Sequence, residues 1–147
     1  LQKIDQHSEE REKQAPAEAI TEKYQKSGLD DREARQHYER LMELMETEAP
    51  YLDKELTLIK LADQLNLSPN HLSQIINTFA GQHFFDFVNR YRVEAVKQKI
   101  KAGAHRQHTL LGIALDCGFN SKASFNRAFR KFTGKTPSGY KRETETL

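Results

Sequence analysis

Between Gly118 and Tyr140 the chain reads GFNSKASFNRAFRKFTGKTPSGY, where Lys122, Arg127, Arg130, Lys131 and Lys135 stand without one carboxylate among them. Cations grouped this way make a surface for anions. An arginine can take guanine with two parallel hydrogen bonds, and an asparagine such as Asn126 can do the same for adenine. Lysines and arginines also neutralise phosphates, which sets register without reading sequence. Other chemistry is thin. Cys117 is the single thiol, so no internal disulfide forms, and a buried apolar role is expected for it. His105 and His108 lie three apart in an expected loop, and His71 and His83 stand alone, with no carboxylate at ligand spacing. Surface histidines are expected, with no metal and no cofactor. A phosphate-cradling glycine loop is also missing, so an enzyme has no site here.

The cations need an element to hold them, and the intervening Phe119, Phe125, Phe129 and Phe132 indicate which. Phe125, Ala128, Phe129 and Phe132 fall on one face of a helix, which leaves Lys122, Ala123, Asn126, Arg127 and Arg130 on the other and Lys131 toward a flank. A repeat explains the greasy face. TLIKLADQLNLSPNHLSQIINTFAG (57–81) aligns with TLLGIALDCGFNSKASFNRAFRKFTG (109–134), first at an offset of 52 and then, after one extra residue, at 53. Thr57 meets Thr109, Ala62 meets Ala114, Ser68 meets Ser121, Phe79 meets Phe132 and Gly81 meets Gly134. Each repeat reads as helix, short turn, helix, with a small alanine that allows the close crossing of a helix-turn-helix.

A helix over about 84–102, with Phe84, Phe87, Val88, Tyr91 and Ala95 at helical spacing, joins the repeats. At ~18 residues it would be about 27 Å long, near the ~34 Å between successive major-groove faces on one side of DNA. The expected fold is therefore all-α, two helix-turn-helix units joined by a long helix. Lys122, Asn126 and Arg127, near the start of the second recognition helix, are the expected base readers. Arg130, Lys131 and Lys135 are expected on phosphates. The first repeat offers Asn70, Ser73, Gln74 and Asn77 on its expected outer face, and from Thr57 to Asn89 its charges are Lys60, Asp63 and Asp86 alone. The second repeat is thus expected to supply most of the charge-driven affinity.

Charge divides the chain in the same sense. Residues 1–56 carry a net −6 and residues 57–147 a net +8, which suits a polyanion-binding domain with an appended segment. Residues 1–15 lack apolar periodicity and read as a linker. A short helix is expected from Pro16 to Lys26, with Gly28 as its stop. A better one runs from about Asp30 to Thr47, with Ala34, Tyr38, Leu41 and Met45 on one face. That stripe docks on the basic half or pairs with a second copy as a homodimer through residues 30–47. The boundaries are then 1–15, a helical extension 16–56, a DNA-binding domain 57–142 and a tail 143–147. No apolar run is long enough to span a bilayer, and the single cysteine fits a reducing cytoplasm. The competing reading is a helical protein-interaction module with weak non-specific DNA binding.

The stretch IALDCGFNSKASFNRAFRKFTGKTPSGYKR (113–142) resembles the signature of the AraC/XylS family of bacterial transcription regulators. The match runs through Ile-Ala, Gly-Phe, Ser-x-x-Phe-x-Arg-x-Phe, Gly-x-Thr-Pro and Tyr-Lys. Upstream, FDFVNRYRVEAV places Arg92 and Ala95 at the family's Arg-x-x-Ala. The resemblance covers 57–142. It implies a seven-helix domain, here with one or two extra N-terminal helices, whose two recognition helices (about 69–80 and 121–132) enter adjacent major-groove segments of duplex DNA. It also implies an activator that helps recruit RNA polymerase. By position, the family's base-contacting sites fall on Asn70, Ser73, Gln74, Lys122, Asn126 and Arg127, and Asn77 falls among the phosphate contacts. The family often has Arg or Lys where Gln74, Asn77 and Thr78 stand, and an aromatic where Ile76 stands. Phe-Asn-Arg replaces the usual Phe-Ser-Arg. Members generally carry an N-terminal sensing domain, and residues 16–56 are too short and polar to be one. The junction KYQKSGL…LMELMETEAPYLDKELTL resembles that of members with a membrane-helix sensor, which would make this chain the cytosolic end of an anchored regulator.

Overall fold

Hydroxyl and carboxylate caps start six of the α-helices among the described residues. The computed structural model describes residues 30–146; the linker expected over 1–15 and the short helix expected over 16–26 lie outside them. Seven α-helices follow: α1 (Asp31–Thr47), α2 (Leu58–Gln64), α3 (Pro69–Ala80), α4 (Phe84–Lys101), α5 (Leu110–Asp116), α6 (Lys122–Thr133) and α7 (Pro137–Glu145). Short 3-10 turns cover Pro50–Leu52 and Ala104–Arg106. No strand occurs among the described residues. The helix expected as an extension is therefore the first of the seven rather than an addition to them.

Asp30 Oδ1 accepts from Glu33 N at 2.7 Å, Thr57 from Lys60 N at 3.2 Å and Ser68 from His71 N at 3.1 Å. Thr109, Ser121 and Thr136 accept likewise from Gly112, Ser124 and Gly139. Each satisfies one of the N–H groups that a helix start leaves over. Pro69 and Pro137 open α3 and α7, where their fixed φ is favourable and no N–H is missed. Gly81 and Gly134 close α3 and α6 in the left-handed conformation.

The chain divides into two bodies, one of residues 30–50 and 56–87, the other of 51–55 and 88–146. In the first body α3 packs against both α1 and α2. Ala34, Leu41, Met45, Leu61, Ala62, Leu72, Ile75 and Ile76 are fully buried there. The apolar stripe of α1 is thus consumed within the chain, with Tyr38 stacked on Phe79 at 5.2 Å between centroids. Ala34, Leu41 and Met45 are thus already covered by the chain's own residues.

The second body gathers Val93, Val96, Ile100, Ile113, Ala114, Cys117, Phe119, Phe125, Ala128 and Phe129 into one core. Its aromatics run in series, Phe119 to Phe125 at 5.3 Å, Phe125 to Phe129 at 5.8 Å and Phe129 to Tyr140 at 5.5 Å. Helix α4 contributes to both bodies. Its expected stripe holds at Phe84, Phe87 and Val88, then gives way to Arg92, Val93, Val96 and Ile100, while Tyr91 and Ala95 are only half-buried. One helix serving two cores cannot keep one straight stripe.

The repeat extends to backbone detail. Leu67 N donates to Ala62 O at 2.9 Å and Phe119 N to Ala114 O at 3.1 Å. Asn66 (φ 56°) and Gly118 (φ 102°) are the left-handed residues of the two turns. Asparagine tolerates that region; at 118 a second constraint demands glycine. The buried Arg92 donates from Nε to Tyr51 O at 2.7 Å and from Nη2 to Asp53 O at 2.9 Å. A Cβ on Gly118 would lie 2.0 Å from that same Tyr51 oxygen and 2.7 Å from Arg92 Nε. Burial pushes the Arg92 guanidinium down to about 10, opposed by the Asp53 carboxylate, so it stays charged at neutral pH. Gly118→Ala is expected to lower unfolding free energy by more than about 2 kcal/mol. Gly81→Ala, with nothing within 4 Å of the added Cβ, costs only about 1–2 kcal/mol. Urea unfolding of both variants checks the order, and equal losses would contradict the Tyr51 constraint.

Candidate nucleic-acid interface

Helix α6 keeps Phe125, Ala128 and Phe129 buried and holds Lys122, Ala123, Asn126, Arg127 and Arg130 exposed. A twelve-residue helix whose start is capped and whose inner face is aromatic has little freedom to roll, so its outer face is held as a fixed array. Ser121, its cap, also donates to Ser124 Oγ at 2.9 Å, and Ser124 Oγ donates to Ser121 O at 3.1 Å. Lys122, Asn126 and Arg127 therefore share one solvent-facing surface, as expected. Arg130 lies on the same surface. Lys131 is exposed on the flank and approaches the Phe132 ring at 5.9 Å. Lys135 forms an ion pair with Glu143 of α7. Both partners are exposed, and such pairs contribute little, so a phosphate can compete for the lysine.

Helix α3 differs from expectation at one position. Asn70 is exposed, and Ser73 and Asn77 are half-buried. Gln74, expected on the outer face, is only 5% exposed, and its Oε1 is buried without a hydrogen-bond partner. The reason is that α3 is held by two helices at once, so its buried sector is wider than the Leu72, Ile75, Ile76 and Phe79 stripe. Asn77 Nδ2 donates to Ser73 O at 2.8 Å, which commits part of its amide to its own helix.

Two arginines that the sequence reading passed over complete the picture. Arg35 of α1 stands over the Phe79 ring at 5.4 Å, and Arg90 of α4 over the Phe132 ring at 5.3 Å. Phe79 and Phe132 are themselves only half-buried. The signal in the sequence is the repeat itself, which places Arg35 and Arg90 55 residues apart on the helices that precede the two helix-turn-helix units.

Cys117 is fully buried, and burial pushes its thiol up, away from the reactive thiolate. Among the described residues no group of three or more His, Cys, Asp or Glu could hold a metal, and no helix is long and apolar enough to cross a membrane. His105, expected at the surface, has a side chain only 4% exposed, with Nε2 3.3 Å from Glu145 Oε1. The turn that carries it packs against α5 and brings His105 to Glu145 of α7, which a loop assignment could not reveal.

Against known proteins, the model of a helix-turn-helix domain family matches residues 61–143, more than half of the chain. The chain belongs to the AraC-type helix-turn-helix family. An uncharacterised HTH-type transcriptional regulator of Staphylococcus aureus (strain COL) is 34% identical over 91 residues, 62% of this chain and 12% of that protein. The AraC-type chain thus spans about an eighth of the length of such relatives. Among solved structures, the C-terminal domain of the two-component response regulator yesN from Fusobacterium nucleatum is 27% identical. It superposes with a TM-score of 0.60, over 71% of this chain and 96% of that one. A Chromobacterium violaceum transcriptional regulator described as AraC-type shares the fold at 19% identity, TM-score 0.62, over 76% of this chain and 94% of that one.

Gln74 yields a prediction within this AraC-type domain. Gln74→Met, similar in shape and without the unpartnered oxygen, is expected to leave stability unchanged or raise it by about 1 kcal/mol. A thermal or urea transition shifted clearly downward would show that the amide has a partner of its own.

Proposed function

We propose that this chain binds duplex DNA sequence-specifically as the DNA-binding part of a bacterial transcription regulator. The observation that carries the reading is the outer face of α6, an exposed Lys122, Asn126, Arg127 and Arg130 on the second helix of a helix-turn-helix in an AraC-type domain. Lys122, Asn126 and Arg127 read base edges, and Arg130, Lys131 and Lys135 bind phosphates. Helix α3 enters an adjacent major-groove segment and offers Asn70 and Ser73, with Asn77 toward the backbone. Gln74 is left out of the reading set because it is buried. Helix α6 then supplies most of the affinity, since α3 carries no Lys, Arg, Asp or Glu.

The role in the cell follows as part of the same proposal: a cytoplasmic activator that assists RNA polymerase at its site. A homodimer through residues 30–47 would have to use the outer face of α1, because Ala34, Leu41 and Met45 are fully buried. The same burial weighs against a free-standing interaction module built on that stripe.

Selection from random duplex DNA with the purified chain is the direct test, and a preferred site is expected. If about six phosphates are contacted, the slope of log affinity against log salt is about −5. Sequence-blind or salt-insensitive binding would sink the proposal. On the selected site, Arg127→Ala is expected to weaken binding by about 1–3 kcal/mol and to relax preference at one base pair. Loss spread evenly over all sequences would instead place Arg127 on a phosphate.

A further inference from the structure

The duplication reaches further upstream than the helix-turn-helix units. Arg35 and Arg90 are 55 residues apart, and at that offset Leu41 meets Val96 and Met45 meets Ile100, all four fully buried. Each repeat is thus three helices, α1–α2–α3 and α4–α5–α6. In each, the first helix sends an exposed arginine over the ring of the penultimate residue of the third, Phe79 in α3 and Phe132 in α6. The two distances, 5.4 and 5.3 Å, are nearly the same. Both rings directly precede the last helical residue and its glycine cap.

We propose that Arg35 and Arg90 are positioning residues, each clasping the last turn of a recognition helix and so fixing the angle at which its first turns meet DNA. The inference rests on the DNA-binding reading above. Its physical basis is leverage. The clasped rings sit at the C-terminal ends, whereas Asn70 and Ser73, or Lys122 and Asn126, lie in the first two turns. A twelve-residue helix is about 18 Å long, so a tilt of ~5° about its far end moves the first turn by about 1.5 Å. A bidentate hydrogen bond to a base tolerates only a few tenths of that.

A clasp is also what the chemistry of the pair favours. A guanidinium over an aromatic face is attracted by the ring quadrupole and lies flat on it, which defines an orientation as an aliphatic contact does not. The rings belong to the inner stripes of α3 and α6, one turn beyond Ile76 and Ile75 or Phe129 and Ala128, all buried. The arginines therefore approach from the packed side of each recognition helix, not from the side that carries Asn126, Arg127 and Arg130. Lys131 also lies near the Phe132 ring, at 5.9 Å. Its equivalent in the first repeat is Thr78, so the arginine is the cation common to both.

The test uses the chain itself on its selected site, with an unrelated duplex as the non-specific reference. Arg90→Ala and Phe132→Leu, and separately Arg35→Ala and Phe79→Leu, are each expected to weaken specific binding about two- to five-fold. Non-specific binding should stay within experimental error and the salt slope should be unchanged. The double variant Arg90→Ala/Phe132→Leu should be no weaker than either single one, because one clasp is lost in all three. Arg90→Lys, which keeps the cation without the planar fork, should recover part of the loss.

Three results would overturn the proposal. A salt slope shallower by about 0.9 in Arg90→Ala, with specific and non-specific binding falling together, would make the arginine a phosphate contact. Losses that multiply in the double variant would show that the pair does not act as one. Unchanged binding in every variant would leave the clasp without effect on recognition. Melting curves accompany each variant, and if a Phe→Leu protein fails to fold, the Ala and Lys variants with their salt slopes decide the matter. Failure of the DNA-binding reading looks different, since the unsubstituted chain would then select no sequence.

Discussion

Arg92 is the interaction on which the second body depends. A charged side chain removed from water is costly unless its donors are used, and here the acceptors are the carbonyls of Tyr51 and Asp53 and the Asn89 side chain. Residues some forty positions earlier are thereby drawn into the body formed by 88–146. The Tyr51 carbonyl in turn lies where a side chain at position 118 would be. The turn of the second helix-turn-helix therefore has to be glycine, α5 and α6 cross on either side of it, and the aromatic series Phe119, Phe125, Phe129 sets the roll of α6. The cationic surface inherits its geometry from that chain of constraints.

The first body reaches a similar arrangement with weaker means. Its turn uses Asn66, which tolerates a left-handed backbone without needing an empty side-chain site. An α1 arginine, Arg40, donates to Leu65 O at 3.2 Å beside that turn, and the buried residues of α1, α2 and α3 include no aromatic ring, those buried in this body being Phe84 and Phe87 of α4. Two copies of one plan have thus diverged in opposite respects. The second has a tight, aromatic interior and a charged outer face, and the first has a more forgiving turn and a polar outer face.

Much of this was legible in the residues. Thr57, Ser68, Thr109 and Ser121 name their own helix starts, because a short side-chain oxygen followed by an apolar period has few other uses. The repeat offsets located the turns and the seam. What was hidden depends on contacts between distant segments. The 3.6-residue period marks one inner stripe per helix, so it could not show that α3 is gripped from two sides and that Gln74 turns inward. It could not show that Arg92 is buried either, since burial of a guanidinium depends on carbonyls supplied by a segment remote in the chain. His105 was misplaced for the same reason. The second copy of the three-helix plan begins at α4, and it was missed because Leu41 and Met45 became Val96 and Ile100 while the surrounding polar residues changed freely.

The single thiol has a consequence for how the two bodies can be observed. Cys117 lies at full burial in the second body, two residues before Phe119 and beside the Arg92-bound turn, and the first body contains no other thiol. A thiol-reactive reagent can modify it only when that core opens. The natural sequence therefore carries an internal clock for one half of the molecule. Its labelling rate would report the opening free energy of the half that bears the cationic helix.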